Sequence, residues 1–259
     1  MNILDHIIAS KKREVILKKT IIPISQFENS VLFEKKILSL SQSLLKSKTG
    51  IIAEYKRRSP SKKEINYDLS VEEVAKGYEN AGVSGISVLT DAAYFGGSLD
   101  DLLLARASVN IPILRKDFII DEYQIIEAKA FGADLILLIA AVLTKNEIKH
   151  LSEFAKALKL EVLVEVHNLE EIEKSIMPSV DMIGVNNRNL KTFEVSLDCS
   201  KKLAAYIPDA FIKISESGIS SVEAVQELKS YGYKGFLIGE NFMKTNNAGF
   251  SAAEFIKKL

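Results

Sequence analysis

The feature that most constrains this chain is a rhythm. From residue 51 onward, a short apolar run rich in Leu, Ile and Val is followed by a polar stretch of helical character, and the pair recurs eight times. The runs are IIAEYK (51–56), GISVLT (85–90), IPILRKDF (111–118), DLILLIA (134–140), EVLVEV (161–166), MIGVNN (182–187), FIKISES (211–217) and GFLIGE (235–240). Near-continuous apolar strands are those buried on both faces, and their alternation with helices predicts a parallel sheet. Several of the polar stretches open with a capping residue and an acid or amide three positions on: Ser70 with Glu73, Ser98 with Asp101, Asp121 with Gln124, Thr144 with Glu147, Asn168 with Glu171, and Ser220 with Glu223. Such pairs satisfy the orphan N–H groups of a helix start.

Eight strand-and-helix units in a chain of 259 residues predict an α/β fold, a single (β/α)8 TIM barrel, which typically takes about 250 residues. An open doubly wound sheet is the alternative with the same rhythm, but no G-x-G-x-x-G follows the first run. Residues 1–48 fall outside the rhythm. Apolar positions at helical spacing, Ile3, Ile7 and Ile8, then Ile37, Leu40 and Leu44, mark them as a helical N-terminal extension packed on the barrel. No Gly- or Pro-rich linker separates them, so residues 1–259 are expected to form one domain.

Composition narrows the function. Lys plus Arg and Asp plus Glu both total 34, so no global basic field exists to hold nucleic acid or an anionic membrane, and any anionic ligand needs a local site. The first residues alternate charge with apolar side chains, unlike a signal peptide or a membrane span, so a cytoplasmic location is expected. Cys199 has no internal partner, and His6, His150 and His167 lack metal-ligand spacing; all four read as ordinary surface or core residues. A closed barrel of neutral charge can live as a monomer.

In such a barrel the carboxyl ends of the strands converge on one face, where the site is built. The strand ends here are dense with polar residues: Glu54 and Lys56, Lys116 and Asp117, Glu165, then Asn186, Asn187 and Arg188, then Glu216 and Ser217, and finally Gly239 and Glu240. Side chains alternate across a strand, so Ile52, Glu54 and Lys56 share one face, and Leu163 and Glu165 another such face. If Ile52 points to the barrel axis, the charges do as well. An unpaired buried carboxylate is costly, so Glu54 and Glu165 are expected to meet the ammoniums of Lys56 and Lys116. Gly218 and Gly239 lie in the loops after strands seven and eight, the usual phosphate site of this fold, and Ser220 is expected to start a helix whose positive end adds attraction.

These segments resemble, in order and over essentially the whole chain, the strand-end motifs of indole-3-glycerol phosphate synthases: IIAEYKRRSPSK, LTDAAYFGGSLDDL, ILRKDFIIDEYQI, LVEVHN, GVNNRNLKTF, SESGI and FLIGENFMK. The resemblance implies conversion of 1-(o-carboxyphenylamino)-1-deoxyribulose 5-phosphate to indole-3-glycerol phosphate with loss of carbon dioxide and water, without cofactor or metal. It implies that Lys116 is the general acid toward the ketone and that Glu165 and Glu54 move protons and orient the lysines. Lys56 would hold the anionic end and share acid work, and Asn186 would bind the hydroxyls or the anthranilate part. It further implies that Ser59 binds the substrate carboxylate, Arg188 supports the site, and Phe118 and Leu137 wall the aromatic ring. Glu216 and Ser217 would line the mouth, while Ser217, Gly218, Gly239 and Glu240 would fit the phosphate. Lys63 stands where the family motif SPSKG carries glycine, which bears on the mobility of the first loop. Phosphoribosylanthranilate isomerase, another phosphate-binding barrel, relies on a cysteine in the first strand and an aspartate late in the sixth, where this chain has Glu54 and Asn186. Chemically, a lysine with an ordinary pKa near 10.4 needs desolvation or a second positive charge to become a stronger acid, and Lys56 facing Lys116 is the expected source of that charge.

Overall fold

The computed structural model describes residues 3–190 and 192–259. Each apolar run becomes a strand: β1 Ile51–Tyr55, β2 Gly85–Leu89, β3 Ile113–Lys116, β4 Leu135–Ile139, β5 Glu161–Val166, β6 Met182–Asn186, β7 Ile212–Glu216 and β8 Gly235–Ile238. All pair in parallel, each with its sequence neighbour, and β8 closes onto β1 through Ile52 opposite Leu237. The result is the closed eight-stranded barrel that the rhythm predicts. β3 is shorter than the apolar run, because Pro112 cannot donate to a ladder and only its carbonyl is used, by the Ile86 N–H.

Three helices precede the barrel, α1 Ile3–Ile21, α2 Ile24–Glu28 and α3 Leu40–Lys46. Between the strands come α4 Val71–Asn80, α5 Ala92–Phe95, α6 Leu99–Ser108, α7 Glu122–Ala130, α8 Lys145–Ala157, α9 Leu169–Ser175, α10 Asp198–Leu203 and α11 Val222–Ser230, and after β8 come α12 Glu240–Met243 and α13 Ala248–Ile256. Ser70, Ser98, Asp121, Thr144 and Asn168 cap helices as their spacing predicts, and Thr144 with Glu147 completes both halves of a capping box. The expectation for Ser220 is corrected: Ser221 is the cap, accepting from the Ala224 N–H at 3.2 Å. The helix starts one residue later, so Glu223 falls at its second position rather than the third position of a capping box, and its side chain reaches Ser221 from there.

Strand alternation splits the core in two. Ile52, Leu114, Leu135, Leu137, Leu163, Met182, Ile214 and Leu237 fill the barrel interior, while Ala53, Tyr55, Val162, Val164 and Phe236 pack outward beneath the helices. Leu40 and Leu44 of α3 plug the lower end. A Cβ on Gly85, the first residue of β2, would lie 2.7 Å from Leu40, and one on Gly235, the first of β8, 3.3 Å from Leu44. The start of α3 is held by Glu161, whose carboxylate accepts from the Leu40 N–H at 2.8 Å and the Ser41 N–H at 3.1 Å, a negative charge at a helix N-terminus.

At the other end α1 joins the interior through Ile7, with Ile3, Leu4 and Ile8 against the same cluster. Its anchor is Lys11, only 1% exposed, whose ammonium lies 3.0 Å from Asp91 and 3.1 Å from Asp117. Asp117 is held in turn by the buried Arg115 at 3.0 Å, and Arg115 by Glu127 at 2.8 Å. Burial opposes charging Asp117, but Arg115 and Lys11 beside it hold its carboxyl well below the usual range. The middle of α1 is thereby fixed beside the strand end that carries Lys116.

Candidate active site

Every residue to which the resemblance assigns a role lines one cavity of about 360 Å³ at the carboxyl ends of the strands: Glu54, Lys56, Ser59, Lys116, Phe118, Leu137, Glu165, Asn186, Arg188, Glu216, Ser217, Gly218, Gly239 and Glu240. Its walls divide by chemistry. Phe118, Leu137 and Ile139 form an apolar side with Phe95, whose ring centroid lies 6.0 Å from that of Phe118. Ile3, Leu4 and Ile7 of α1 continue it. Phe118 is placed by two bonds of its own loop: its N–H donates to Asp117 at 2.8 Å, and its carbonyl accepts from the Gln124 amide at 2.9 Å.

Opposite stands an ionic cluster. Lys56 Nζ lies 2.7 Å from Glu54 Oε1, and Lys116 Nζ lies 3.1 Å from Glu216 Oε2 and 3.4 Å from Glu165 Oε2. Glu54 and Glu165 therefore meet the lysines expected of them, and Glu216 joins as a third carboxylate. Ser87 Oγ, from β2, donates to Glu54 Oε2 at 3.2 Å. Gly239 faces Glu54 so closely that a Cβ there would lie 2.7 Å from Glu54 Oε1, so a glycine at the end of β8 makes room for the carboxylate of β1.

The electrostatics correct one expectation. Burial would lower the Lys116 ammonium, but Glu216, Glu165 and Glu54 outweigh it and hold its pKa well above the ordinary lysine value, rather than a neighbouring cation depressing it. Burial likewise raises Glu54 and Glu165, yet Lys56 then Lys116 bring Glu54 below the usual range, and Lys116 then His167 do so for Glu165. Glu216 goes the other way. Its burial, with Glu165 and Glu54 nearby, outweighs Lys116 and pushes its carboxyl up to about 7. With Lys56 paired to Glu54, Glu165 and Glu216 share the Lys116 ammonium, and the one with an unpartnered buried oxygen, Glu216 Oε1, takes a proton most readily.

The loops after β7 and β8 lie together on the rim. Ser217 adopts φ 66° and Gly218 φ 75°, and a side chain on Gly218 would run into Val195. A non-glycine residue in the left-handed region is uncommon and clusters at ligand sites. Asn187, buried and outside the cavity, fixes this turn by donating to Ser215 Oγ at 3.0 Å and to the Ser217 carbonyl at 3.1 Å. Glu240 pairs through its carboxylate with Lys62 at 3.0 Å, joining the loop after β1 to the start of α12. Burial raises Glu240, and Lys62, then Lys56 and Arg188, bring it below the usual range, so three cations surround this rim. Ser59 sits across a two-way backbone bridge from Lys62, at 2.8 and 3.0 Å, which shapes the loop. Lys63 lies next to that bridge and does not adopt a positive φ, so its backbone makes no demand for glycine.

Other lining residues were not anticipated. Ile3, Leu4, Ile7, Phe95, Leu190, Phe193, Asn241 and Lys244 reach the cavity from α1 and from loops whose closure no local pattern signals. His167, read from the sequence as an ordinary residue, stands with its ring beside Glu165, Nε2 lying 3.5 Å from Glu165 Oε1. Strand parity does not announce it, because β5 ends at Val166 and His167 lies in the turn that follows. Among the described residues no grouping of His, Cys, Asp and Glu could hold a metal ion, and no helix is long and apolar enough to cross a membrane.

Known proteins resemble this chain in sequence and in fold. The sequence model of the indole-3-glycerol phosphate synthase family covers residues 4–257. The indole-3-glycerol phosphate synthase of Bacteroides thetaiotaomicron is 47% identical over 258 residues, spanning 100% of this chain and 99% of that protein. That of Carboxydothermus hydrogenoformans is 43% identical over 256 residues, spanning 95% and 96%. Among solved structures, 3-hexulose-6-phosphate synthase from Salmonella typhimurium superposes with a TM-score of 0.64 at 15% identity, covering 80% of this chain and 97% of that one. Thiamine phosphate pyrophosphorylase from Pyrococcus furiosus does so with a TM-score of 0.61 at 16% identity, covering 85% and 98%. At such identities the two structures share the barrel fold alone.

Proposed function

The chain belongs to the indole-3-glycerol phosphate synthase family, and we propose that Lys116 is the acid with which it closes the indole ring. The activity is that of a carboxy-lyase of tryptophan biosynthesis, acting on a small phosphorylated substrate. Its substrate, 1-(o-carboxyphenylamino)-1-deoxyribulose 5-phosphate, offers an aromatic ring, a ketone and two anionic ends, and the cavity has a counterpart for each.

The observation that carries the assignment is the place of Lys116 Nζ, held between Glu216 and Glu165 in the cavity that Phe118 and Leu137 also line. A ring packed on that wall brings its ketone toward the ammonium. Attack by the ring carbon develops an alkoxide on the ketone oxygen, and a preorganised ammonium stabilises that charge and supplies its proton. Carboxylates that raise the Lys116 pKa keep the acid loaded at neutral pH. Its weakness as an acid is matched by the basicity of the alkoxide.

Glu54 and Glu165 fix the two lysines and, in the dehydration, help deliver a proton to the departing hydroxyl on the former ketone carbon and take one from the neighbouring methylene. Lys56 meets the anionic end and shares acid work, and Asn186, which lines the cavity beside Glu165, binds the hydroxyls or the anthranilate part. Ser59 receives the substrate carboxylate, with Arg188 supporting the site. Ser217, Gly218, Gly239 and Glu240 cradle the phosphate with backbone N–H groups, in the loops where this fold holds phosphate. The protein is read as a monomer of the cytoplasm. Incubating the purified chain with the carboxyphenylamino substrate and following indole fluorescence tests the reading: product should accumulate, and its absence overturns the assignment.

A further inference from the structure

Decarboxylative ring closure consumes a proton. The carboxylate leaves as carbon dioxide, and its bonding pair restores the aromatic ring. The ketone oxygen takes one proton to become a hydroxyl and a second to leave as water, while the adjacent methylene carbon gives one up. Each turnover therefore draws one proton from water. A substrate seated in the mouth blocks the direct route from solvent to Lys116.

A second route exists through the wall. Glu165 faces Lys116 Nζ with Oε2 at 3.4 Å and His167 Nε2 with Oε1 at 3.5 Å. The other ring nitrogen of His167, Nδ1, lies 3.1 Å from Glu171 Oε2, and the His167 N–H donates to the same oxygen at 2.8 Å. His167 and Glu171 do not line the substrate cavity; they line a neighbouring cavity of about 600 Å³, together with Asn168 and Cys199. The imidazole thus stands in the partition, with one nitrogen toward each side.

We propose that Glu171, His167 and Glu165 form a proton inlet that reloads Lys116 after each turnover, with His167 as a positioning residue acting through Glu165. Once Lys116 has given its proton to the ketone oxygen, Nε2–H of the imidazolium passes a proton to Glu165 and Glu165 passes it to Lys116. That leaves the ring neutral with its one proton on Nδ1; a half-turn of the ring carries this N–H to Glu165 and the bare nitrogen to the second cavity, where water reprotonates it and the relay is reset. Nε2 is buried without a hydrogen-bond partner at 3.5 Å from Glu165 Oε1, so this link has to shorten before a proton crosses, as catalytic hydrogen bonds do when substrate binds. The charged groups facing the ring are Glu165 from β5, Glu171 from α9 and, farther off, Glu216 from β7; the Cys199 thiol from α10 reaches only the His167 carbonyl, at 3.5 Å. Burial would lower the imidazole, and Glu171 with Glu165 raises it above the ordinary histidine value.

The inlet rests on the assignment of Lys116 as acid, and the test separates the two. His167→Ala should convert substrate in a first turnover, with enzyme in excess, at the rate of the unaltered protein, because Lys116 starts loaded. Steady-state kcat should fall about tenfold or more, within the reach of a general acid–base contribution, and imidazole added to the buffer should restore it. Glu171→Gln, which keeps the shape of the side chain, should show the same pattern should His167→Ala fail to fold. An unchanged steady state in the folded variant, or a first turnover slowed as much as the steady state with no rescue by imidazole, overturns the inlet alone. No product from the unaltered chain overturns the assignment beneath it.

Discussion

Gly184 on β6 and Glu216 on β7 occupy adjoining space so tightly that a side chain at residue 184 would collide with Glu216 Oε1. The absence of a Cβ on one strand is what lets the neighbouring carboxylate lie inside the barrel, within reach of Lys116. Gly239 makes the same room for Glu54.

Gly184→Ala should therefore displace the Glu216 carboxyl and, with it, Lys116. Misplacing a catalytic group by about 1 Å costs on the order of 10²-fold, so a fall of tenfold or more in kcat is expected. Overpacking should also cost about 2 kcal/mol of stability. Steady-state kinetics beside a urea melt measures both, and a variant with wild-type kcat would mean that the Glu216 position is unimportant.

Glu165→Gln keeps the size of the side chain and removes its charge. Turnover should drop by about 10²-fold or more, since general acid–base groups contribute 10²–10⁴-fold. Substrate affinity should change far less, which a kcat against KM comparison detects. Unchanged turnover would reduce Glu165 to filler in an ion-pair network.

Lys11→Met removes the ammonium that Asp91 and Asp117 share beneath α1. Breaking a buried ion pair leaves uncompensated charge, at a cost of about 3 kcal/mol. The urea midpoint should shift accordingly with little change in m, and KM should rise because Ile3, Leu4 and Ile7 lose their seat over the cavity. A melt identical to the wild type would show that the cluster contributes nothing to docking the helix.

Asp117 also makes the fold sensitive to acid. Its carboxyl titrates lower in the folded chain than the roughly 3.9 of an unfolded Asp, because Arg115 and Lys11 outweigh its burial. Its stabilisation is complete above that unfolded value and is lost as pH falls through the folded one. Stability should decline below about pH 4, and Asp117→Asn should flatten that decline. A variant with the same acid slope as the wild type would assign the loss to other groups.

Much of this was legible in the chain. Period-two alternation fixes which way a strand residue points, so Ile52 to Lys56 and Leu163 to Glu165 can be aimed at the axis without coordinates. What stayed hidden depends on contacts between distant segments. Lys11 reads as one more charge on an amphipathic helix until Asp91 and Asp117 are folded beneath it. The strong basicity of Lys116 arises because β1, β5 and β7 each bring a carboxylate, a sum that a single strand end cannot announce. His167 was hidden as well, since it follows the end of β5 and meets Glu171 and Glu165 only through the turn between β5 and α9. Ser221 displaced Ser220 as the cap because adjacent serines offer the same local chemistry, and the packing of α11 decides between them.

The central claim is that the Lys116 ammonium performs the ring closure. The most direct measurement is the rate of indole fluorescence from Lys116→Ala beside the unaltered chain, with substrate binding and folding checked on the same sample. The expected result is a folded protein that binds substrate and turns it over about 10³-fold more slowly. A folded Lys116→Ala chain that makes indole-3-glycerol phosphate at the wild-type rate would contradict it.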